Sequence, residues 1–415
     1  MPDILSQGRG RELGPWPRRG LAAVAIVLAV LAIVYYLPRS KPAHPAATAS
    51  PSPTPSSAPV AVPGAVAGAV SGDGAVASEP DGITGRVLSW PSGLRLLAAG
   101  QQPAWFWPAT GRKLVIGALP AQQSGYQFTR VAGGWAVQAA AVSSPACADC
   151  AGPRRPVFFL ADTGLSATPV GLADAVAGGT AGTLWLSSYQ SGADTSQAAA
   201  TAQQVSVAGA PIGAALTLPA GYLIVAGTSR GLLLEPVAPQ PGKMADKLWD
   251  PAAPRATLGL ADVIAVSPTL LASAPPCAVR CRVQLLNLAT GRQRSVELPA
   301  SSSVANAAFS PDGKYLALQV SFGDNDDDGQ LAVQLESVST ASGHLTVVPQ
   351  SFASSDALVG FGWPASGDSL VAQLSFTSKE QLASWQPGAA RLAIVTLTPA
   401  HTPAALVIGQ YLPTP

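Results

Sequence analysis

The sequence predicts an all-β chain: a β-propeller of about seven four-stranded blades, preceded by one transmembrane helix and a disordered Pro/Ala/Ser-rich linker. Three observations carry this. From Ile83 onward, short apolar or β-branched runs alternate with Gly, Pro, Ser and Asp, with no long amphipathic helical pattern, as expected of many short strands. A small Thr/Ser-Gly turn recurs at a mean spacing of about 48 residues, within the ~40–50 residues of a four-stranded blade. An uncharged apolar run stands close to the first residue.

That run, Gly20 to Leu37, spans roughly 27 Å as a helix, enough for a slightly thinned hydrocarbon core. Arg9, Arg11, Arg18 and Arg19 precede it, while Arg39 and Lys41 follow. The positive-inside rule therefore makes residues 1–19 a cytoplasmic tail, 20–37 the transmembrane helix and everything beyond it extracytoplasmic. A cleaved signal peptide is the competing reading, because Ala47-Thr48-Ala49 is a small-residue site, but the apolar run is longer than a typical signal core. Residues 38–80 hold Pro, Ala, Ser and Gly with almost no large apolar side chain, so they cannot offset chain entropy by burial and form a semi-extended spacer. Residues 81–415 are the propeller domain.

Within that domain, AAFSPDGKYLALQVSF (307–322) aligns with VGFGWPASGDSLVAQLSF (359–376), which sets Phe309 opposite Trp363, Gly313 opposite Gly367 and Leu316 opposite Leu370. Ser310-Pro311-Asp312-Gly313 suits a type I turn between two strands, since Pro presets φ at the second position and Gly is favoured at the fourth. The second recurring element is a hairpin turn with Gly free to take positive φ, in WPATGRKLVIGALP (107–120), LADTGLSATPVG (160–171), LATGRQRSVELP (288–299) and STASGHLTVVP (339–349). Weaker equivalents fall near Gly209, Gly242 and His401. The segment Ile83 to Trp90 is expected to supply a strand to the blade that ends in Ala404 to Leu412, hiding sheet edges that would otherwise be exposed.

The stretch FSPDGKYLA (309–317) resembles the repeat signature of WD40-like propellers of the TolB type. The resemblance is specific in that unit and only patterned elsewhere, and it implies a fold far more than a function. A Trp-Asp pair occurs once, at Trp249-Asp250, in what reads as a loop. TolB-type proteins are soluble and periplasmic, with an extra N-terminal domain. The anchor and linker here depart from that pattern, so the partners of that family do not carry over.

Loops that join the second and third strands of a blade hold the unusual residues: VSSPACADCAGPRRP, PPCAVRC, GDNDDDGQ and TSKEQLASWQPGAA. They emerge on one face, and loops on a rigid scaffold are where binding usually sits; the opposite face, with its short Thr-Gly turns, looks plain. Cys147, Cys150, Cys277 and Cys281 are expected as disulfides outside the membrane, each pair closing its own loop, although four cysteines allow three connectivities. A zinc site or a redox motif is the alternative reading.

Asp324, Asp326, Asp328 and Gly329 fit the first half of a calcium loop, in which alternate carboxylates converge on a hard cation. The second half fails: Leu335 occupies the position of the bidentate Glu, with Glu336 one residue late, and Ala332 stands where another ligand belongs. Calcium is thus the one candidate cofactor, against a plain reading of solvated carboxylates at a hairpin tip.

His44, His344 and His401 form no metal motif, and no phosphate loop is present. Asp162, Asp262, Asp312 and Asp368 read as turn residues. Trp105, Trp107, Trp135, Trp185 and Trp363 read as packing residues and Trp385 as the exposed one. With 24 basic against 23 acidic residues, the chain has no footprint for nucleic acid. The expected function is a non-enzymatic binding or scaffold module for an envelope protein or polymer; a cell-wall glycan hydrolase and a ligand sensor are the alternatives.

Overall fold

The computed structural model describes residues 88–407, except 123–124, 141–152, 181, 191–192, 196–197, 238–245, 255–257, 261, 276–280, 301, 323–331, 350–357, 365–366, 377–378 and 398–404. The expected tail, membrane span and linker lie outside these residues. Among the described residues, no helix is long and apolar enough to cross a membrane.

The first sheet is built from β1 (Leu96–Ala99), β2 (Ala104–Trp107) and β3 (Arg112–Val115). The second holds β4 (Tyr126–Val131), β5 (Gly134–Ala139), β6 (Arg155–Ala161) and β7 (Thr168–Ala173). Next come β8 (Ala175–Gly178), β9 (Thr183–Ser188), β10 (Thr201–Ser206) and β11 (Pro211–Thr217), then β12 (Tyr222–Thr228), β13 (Gly231–Pro236), β14 (Asp246–Trp249) and β15 (Leu258–Leu260). Another quartet is β16 (Val263–Val266), β17 (Leu270–Ser273), β18 (Arg282–Asn287) and β19 (Gln293–Glu297). It is followed by β20 (Ser302–Phe309), β21 (Tyr315–Phe322), β22 (Ala332–Ser339) and β23 (Leu345–Val347). The last holds β24 (Leu358–Gly362), β25 (Leu370–Ser375), β26 (Glu380–Trp385) and β27 (Ala393–Leu397), and β28 (Ala405–Val407) returns to the first sheet.

Each quartet is an antiparallel meander with its first strand innermost, β4 packing beside β8 and β16 beside β20; in the first sheet β28 takes that place, and β1, β2 and β3 are its second, third and fourth strands. The architecture is an all-β propeller. Where the sequence leads one to expect about seven separate blades, five sheets of four strands stand apart and the other eight strands form one continuous sheet, ordered β11-β10-β9-β8-β12-β13-β14-β15. Its two antiparallel quartets are joined by a parallel bridge between Gly178 and Ala226. The reason is steric. A Cβ on Gly227 would lie 2.9 Å from Trp185 Nε1 and 3.0 Å from the Gly179 Cα, so only glycine lets these inner strands come close enough to bond.

Apolar layers fill the spaces between successive sheets. Val131, Val157 and Val170 meet Leu184, Leu186 and Val205, while Ala317 and Leu335 meet Phe361 and Leu374. Fully burying one such large side chain stabilises the fold by roughly 1.5–3 kcal/mol. The two aligned repeats occupy equivalent places in adjacent sheets. Gly313 and Gly367 both take positive φ, 70° and 71°, and Trp363 stacks on Tyr315 at 6.0 Å while donating from Nε1 to the Ala308 carbonyl at 3.0 Å.

Closure differs from the expectation. β28 pairs with β1 at Leu97–Val407, Ala98–Leu406 and Ala99–Ala405. Of the segment Ile83–Trp90 only residues 88–90 are described: Leu88 makes one parallel bridge to Ala393 in β27, and Trp90 packs with Leu96, Phe106 and Leu382. Leu96 and Leu97 are almost fully buried whereas Leu88 is 47% exposed, so the apolar pair takes the interior position.

The alternation of strands gives the disc two ends. One, the turn end, carries the links between first and second and between third and fourth strands. The other, the loop end, carries the links between second and third strands and the connections between sheets. The strand ends that flank the segments between β5 and β6, β17 and β18, β21 and β22, and β25 and β26 lie at the loop end, while most residues of those segments lie outside the described ones. The last of these segments is shorter than expected, because Glu380–Trp385 is strand β26. Trp385 is accordingly buried, at 2% exposure, and donates to the Ala389 carbonyl at 2.8 Å. Trp249 likewise closes β14 and is not in a loop; Asp250 follows and accepts from the Ala252 N–H at 2.9 Å. Gly242 and His401 lie outside the described residues, and they fall between β13 and β14 and between β27 and β28, so they do not continue the series of third-to-fourth-strand turns.

Candidate functional site

A cavity of about 290 Å³ opens at the C-terminal ends of the inner strands. Its wall includes Val131 from β4, Gly178 from β8, Gly227 from β12, Val266 from β16, Phe309 from β20 and Trp363 just after β24. These positions all belong to the turn end, the face that the sequence leaves plain. The volume is at the low end of ligand pockets.

The polar side chains of the wall are held by the turns they serve. Ser267 Oγ accepts from the Leu270 N–H at 3.0 Å. Ser310 Oγ donates to Asp312 Oδ1 at 2.7 Å and accepts from the Tyr315 N–H at 2.9 Å. Burial works against charge on Asp312, but hydrogen bonds from Lys314 and Ser310 outweigh it and hold this carboxyl at about 2. Arg130 makes a forked pair with Asp162, one arm at 2.9 Å, donates to the Gly134 carbonyl at 2.9 Å and lies 5.1 Å from the centre of the Trp135 ring.

This forked pair anchors a larger array at the turn end of the first two sheets. The Arg95 guanidinium sits 4.1 Å over the Trp105 ring and 5.8 Å from Trp107, and it donates to the main-chain carbonyl of Asp162. Burial lowers the Arg95 pKa, with the Asp162 charge opposing. Arg112 covers Trp107 at 5.1 Å. Trp105 Nε1 donates to the Gly164 carbonyl at 2.6 Å. Trp107 is half-buried and Arg112 exposed, so the outer part of the array faces solvent. Such contacts contribute about 0.5–1 kcal/mol at exposed sites.

The loop end carries a different chemistry. Burial and the neighbouring Asp246 push Glu235 up to about 7; burial and Asp262 raise Asp246 in turn. Beside them Lys247 Nζ lies 4.0 Å over the Tyr222 ring. Arg155 donates to the Ala139 carbonyl at 3.0 Å and to Gln127 Oε1 at 3.1 Å, and Tyr189 is pushed up to about 12 by burial and then by Asp174. Sequence reasoning did not single out Glu235, because an acidic residue inside LLLEPV carries no motif. Its environment is supplied by Asp246, brought opposite by the β13–β14 pairing.

Of the residues the sequence nominates, Asp324, Asp326, Asp328, Cys147, Cys150 and Cys277 lie outside the described residues. Among the described residues no group of three or more His, Cys, Asp or Glu is placed to hold a metal. Cys281 is 2% exposed, disulfide-bonded, and packs with Val283 and Leu298. Asp162 and Asp312 are turn residues as expected, and Trp105, Trp135, Trp185 and Trp363 are buried.

No protein-family model and no curated protein sequence matches the chain. Among solved structures it is similar to a protein from Lactobacillus plantarum, at 12% identity and a TM-score of 0.42 over 73% of this chain and 99% of that one. It is similar to TolB from Acinetobacter baumannii at 8% identity and a TM-score of 0.38, covering 76% of this chain and 65% of TolB, just under two thirds. An oligogalacturonate lyase from Vibrio parahaemolyticus is matched at 9% identity and a TM-score of 0.43, over 75% of this chain and 88% of the lyase.

Proposed function

We propose that the chain is a membrane-anchored, extracytoplasmic β-propeller that acts as a non-enzymatic binding or scaffold module for a protein or envelope polymer. The observation that carries this reading is the cavity at the turn end: Ser267, Ser310 and Arg130 are already engaged within the fold, so the wall offers shape and fixed dipoles to a ligand. The uncharged run 20–37 supports the anchor and the basic residues before it support the orientation. Cysteine pairing within each loop, Cys147 with Cys150 and Cys277 with Cys281, fits an oxidising location. Calcium held by Asp324, Asp326 and Asp328 would stiffen the loop end.

The test is crosslinking and mass-spectrometric partner capture with the full-length protein in intact cells, with and without a calcium chelator. A reproducible partner is expected, and its loss under chelation would assign the acidic loop a metal. Failure to capture any partner, together with turnover of a cell-wall glycan by the purified protein, would overturn the reading in favour of the hydrolase.

A further inference from the structure

The near-neutral net charge of the chain hides a separation that only the fold makes visible. At the turn end of the first two sheets lie Arg95, Arg112, Lys113 and Arg130; further round the ring lie Arg230, Arg292 and Arg294, then Lys314 and Arg391. The acidic side chains described at the same end are Asp162, Asp250, Asp312 and Asp368, so nine basic residues face four acidic ones. Two of the four are already committed, Asp162 to Arg130 and Asp312 to Lys314 at 2.9 Å. Among the described residues no carboxylate forms an ion pair with Arg112, Lys113, Arg230, Arg292 or Arg391, all of which are exposed. Among the described residues of the loop end the balance reverses, with Asp174, Asp194, Glu235, Asp246, Asp262, Glu297 and Glu380 against Arg154, Arg155, Lys247, Arg282 and Lys379.

The basic residues also run on from sheet to sheet. The Arg230 guanidinium lies 4.0 Å from where a Cβ on Gly291 would be, which sets it against the turn that carries Arg292. Arg294 reaches the next turn in its own direction, donating to the Ala341 carbonyl beside Gly343 and His344. Guanidinium groups dominate this track, and their planar fork suits phosphate and carboxylate oxygens.

We propose that the turn end is the docking surface for a linear polyanion, a phosphate- or carboxylate-bearing polymer of the cell envelope. This rests on the binding-module reading and names the class of ligand. A track that passes from one sheet to the next matches an extended, multivalent anion better than a single small one. A polymer fits better than an anionic bilayer as well. Arg130 stands in the wall of a recessed cavity with its side chain 20% exposed, where a chain can reach and a flat lipid surface cannot.

The experiment measures binding of the full-length protein to long-chain inorganic polyphosphate and to poly-L-glutamate across a salt series, with phosphatidylglycerol-containing vesicles as the comparison. Binding at about 50 mM salt that weakens steeply as salt rises is expected. The double variants Arg112→Gln/Lys113→Gln and Arg230→Gln/Arg292→Gln should each lower affinity about tenfold and flatten the salt dependence, while Arg154→Gln/Lys379→Gln at the loop end should change neither. Three results would overturn the proposal: no polyanion binding at low salt, equal loss from the loop-end pair, or vesicle binding as tight as polymer binding with the same sensitivity. If polyanions fail while partner capture still yields a protein, the polyanion assignment falls and the binding-module reading stands.

Discussion

Glu336 gives the sharpest test of the interior. It lies at the middle of β22, is 0% exposed, and neither carboxyl oxygen has a hydrogen-bond partner among the described residues. Its partner across the sheet is Leu318, and Val338 lies on the same face two residues along, both in an apolar layer. Burial is the one cause that raises its pKa, from 4.5 to about 7. Below pH 4.5 the group is protonated whether the chain is folded or not, and it costs nothing in charge. Between pH 4.5 and about 7 the unfolded chain releases the proton while the folded chain keeps it, so stability falls as pH rises; above about 7 the penalty is complete. At 1.36 kcal/mol per pH unit, that interval corresponds to about 3 kcal/mol. For a domain of this length the unfolding entropy makes it about 4 °C in melting temperature. Glu336→Gln keeps the shape and removes the titration. Calorimetric melts of both proteins from pH 4.5 to 8 should therefore diverge, with the variant gaining about 4 °C relative to the wild type over that range. Glu235 titrates in the same window, so the difference between the two proteins isolates Glu336. Melting temperatures separated by the same amount at every pH would refute the reasoning.

Two further substitutions probe the architecture. Gly227→Ala places a methyl group 2.9 Å from Trp185 Nε1 and 3.0 Å from Gly179, and it should cost about 1–3 kcal/mol in urea unfolding, with Trp185 fluorescence shifted. A variant as stable as the wild type would mean the inner strands have room to spare. Trp90→Ala empties a site packed against Leu96, Phe106 and Leu382 beside the closing strand, and a loss of about 3–5 kcal/mol is expected, with the earliest increase in hydrogen exchange at Leu97 and Leu406.

Much of the fold was legible because its signals are local. The Gly at the end of Ser310-Pro311-Asp312-Gly313 announced a turn, and the Thr-Gly pairs announced third-to-fourth-strand links, since each depends on the backbone of a few residues. Trp385 was missed for a definite reason. Glu380-Gln381-Leu382-Ala383-Ser384-Trp385 holds three polar residues in six and shows no period-2 alternation, so it reads as a surface loop, yet Gln381 and Ser384 are buried as well, and Gln381 Nε2 reaches Thr396 Oγ1 on the neighbouring strand at 3.3 Å. A polar residue satisfied by a partner distant in sequence leaves no periodic trace. The fused double sheet was hidden likewise, because it depends on Gly178 bridging to Ala226 and on Gly227 passing close to Gly179, residues far apart in the sequence. The candidate site was scarcely legible at all. Arg95 and Arg130 belong to different sheets, and the basic turn end is assembled from residues that span almost 300 positions, from Arg95 to Arg391, so a total of +1 said nothing about it.

The pairing of β1 with β28 also sets a clock. Leu96–Ala99 is made early and Ala405–Val407 only some 300 residues later. At about 5–20 residues per second, β1 waits roughly 15–60 s for its partner to leave the ribosome. Throughout that interval its inner edge presents unpaired N–H and C=O groups, a template for pairing with another chain. Until Ala405–Val407 arrives, that edge of β1 stays open.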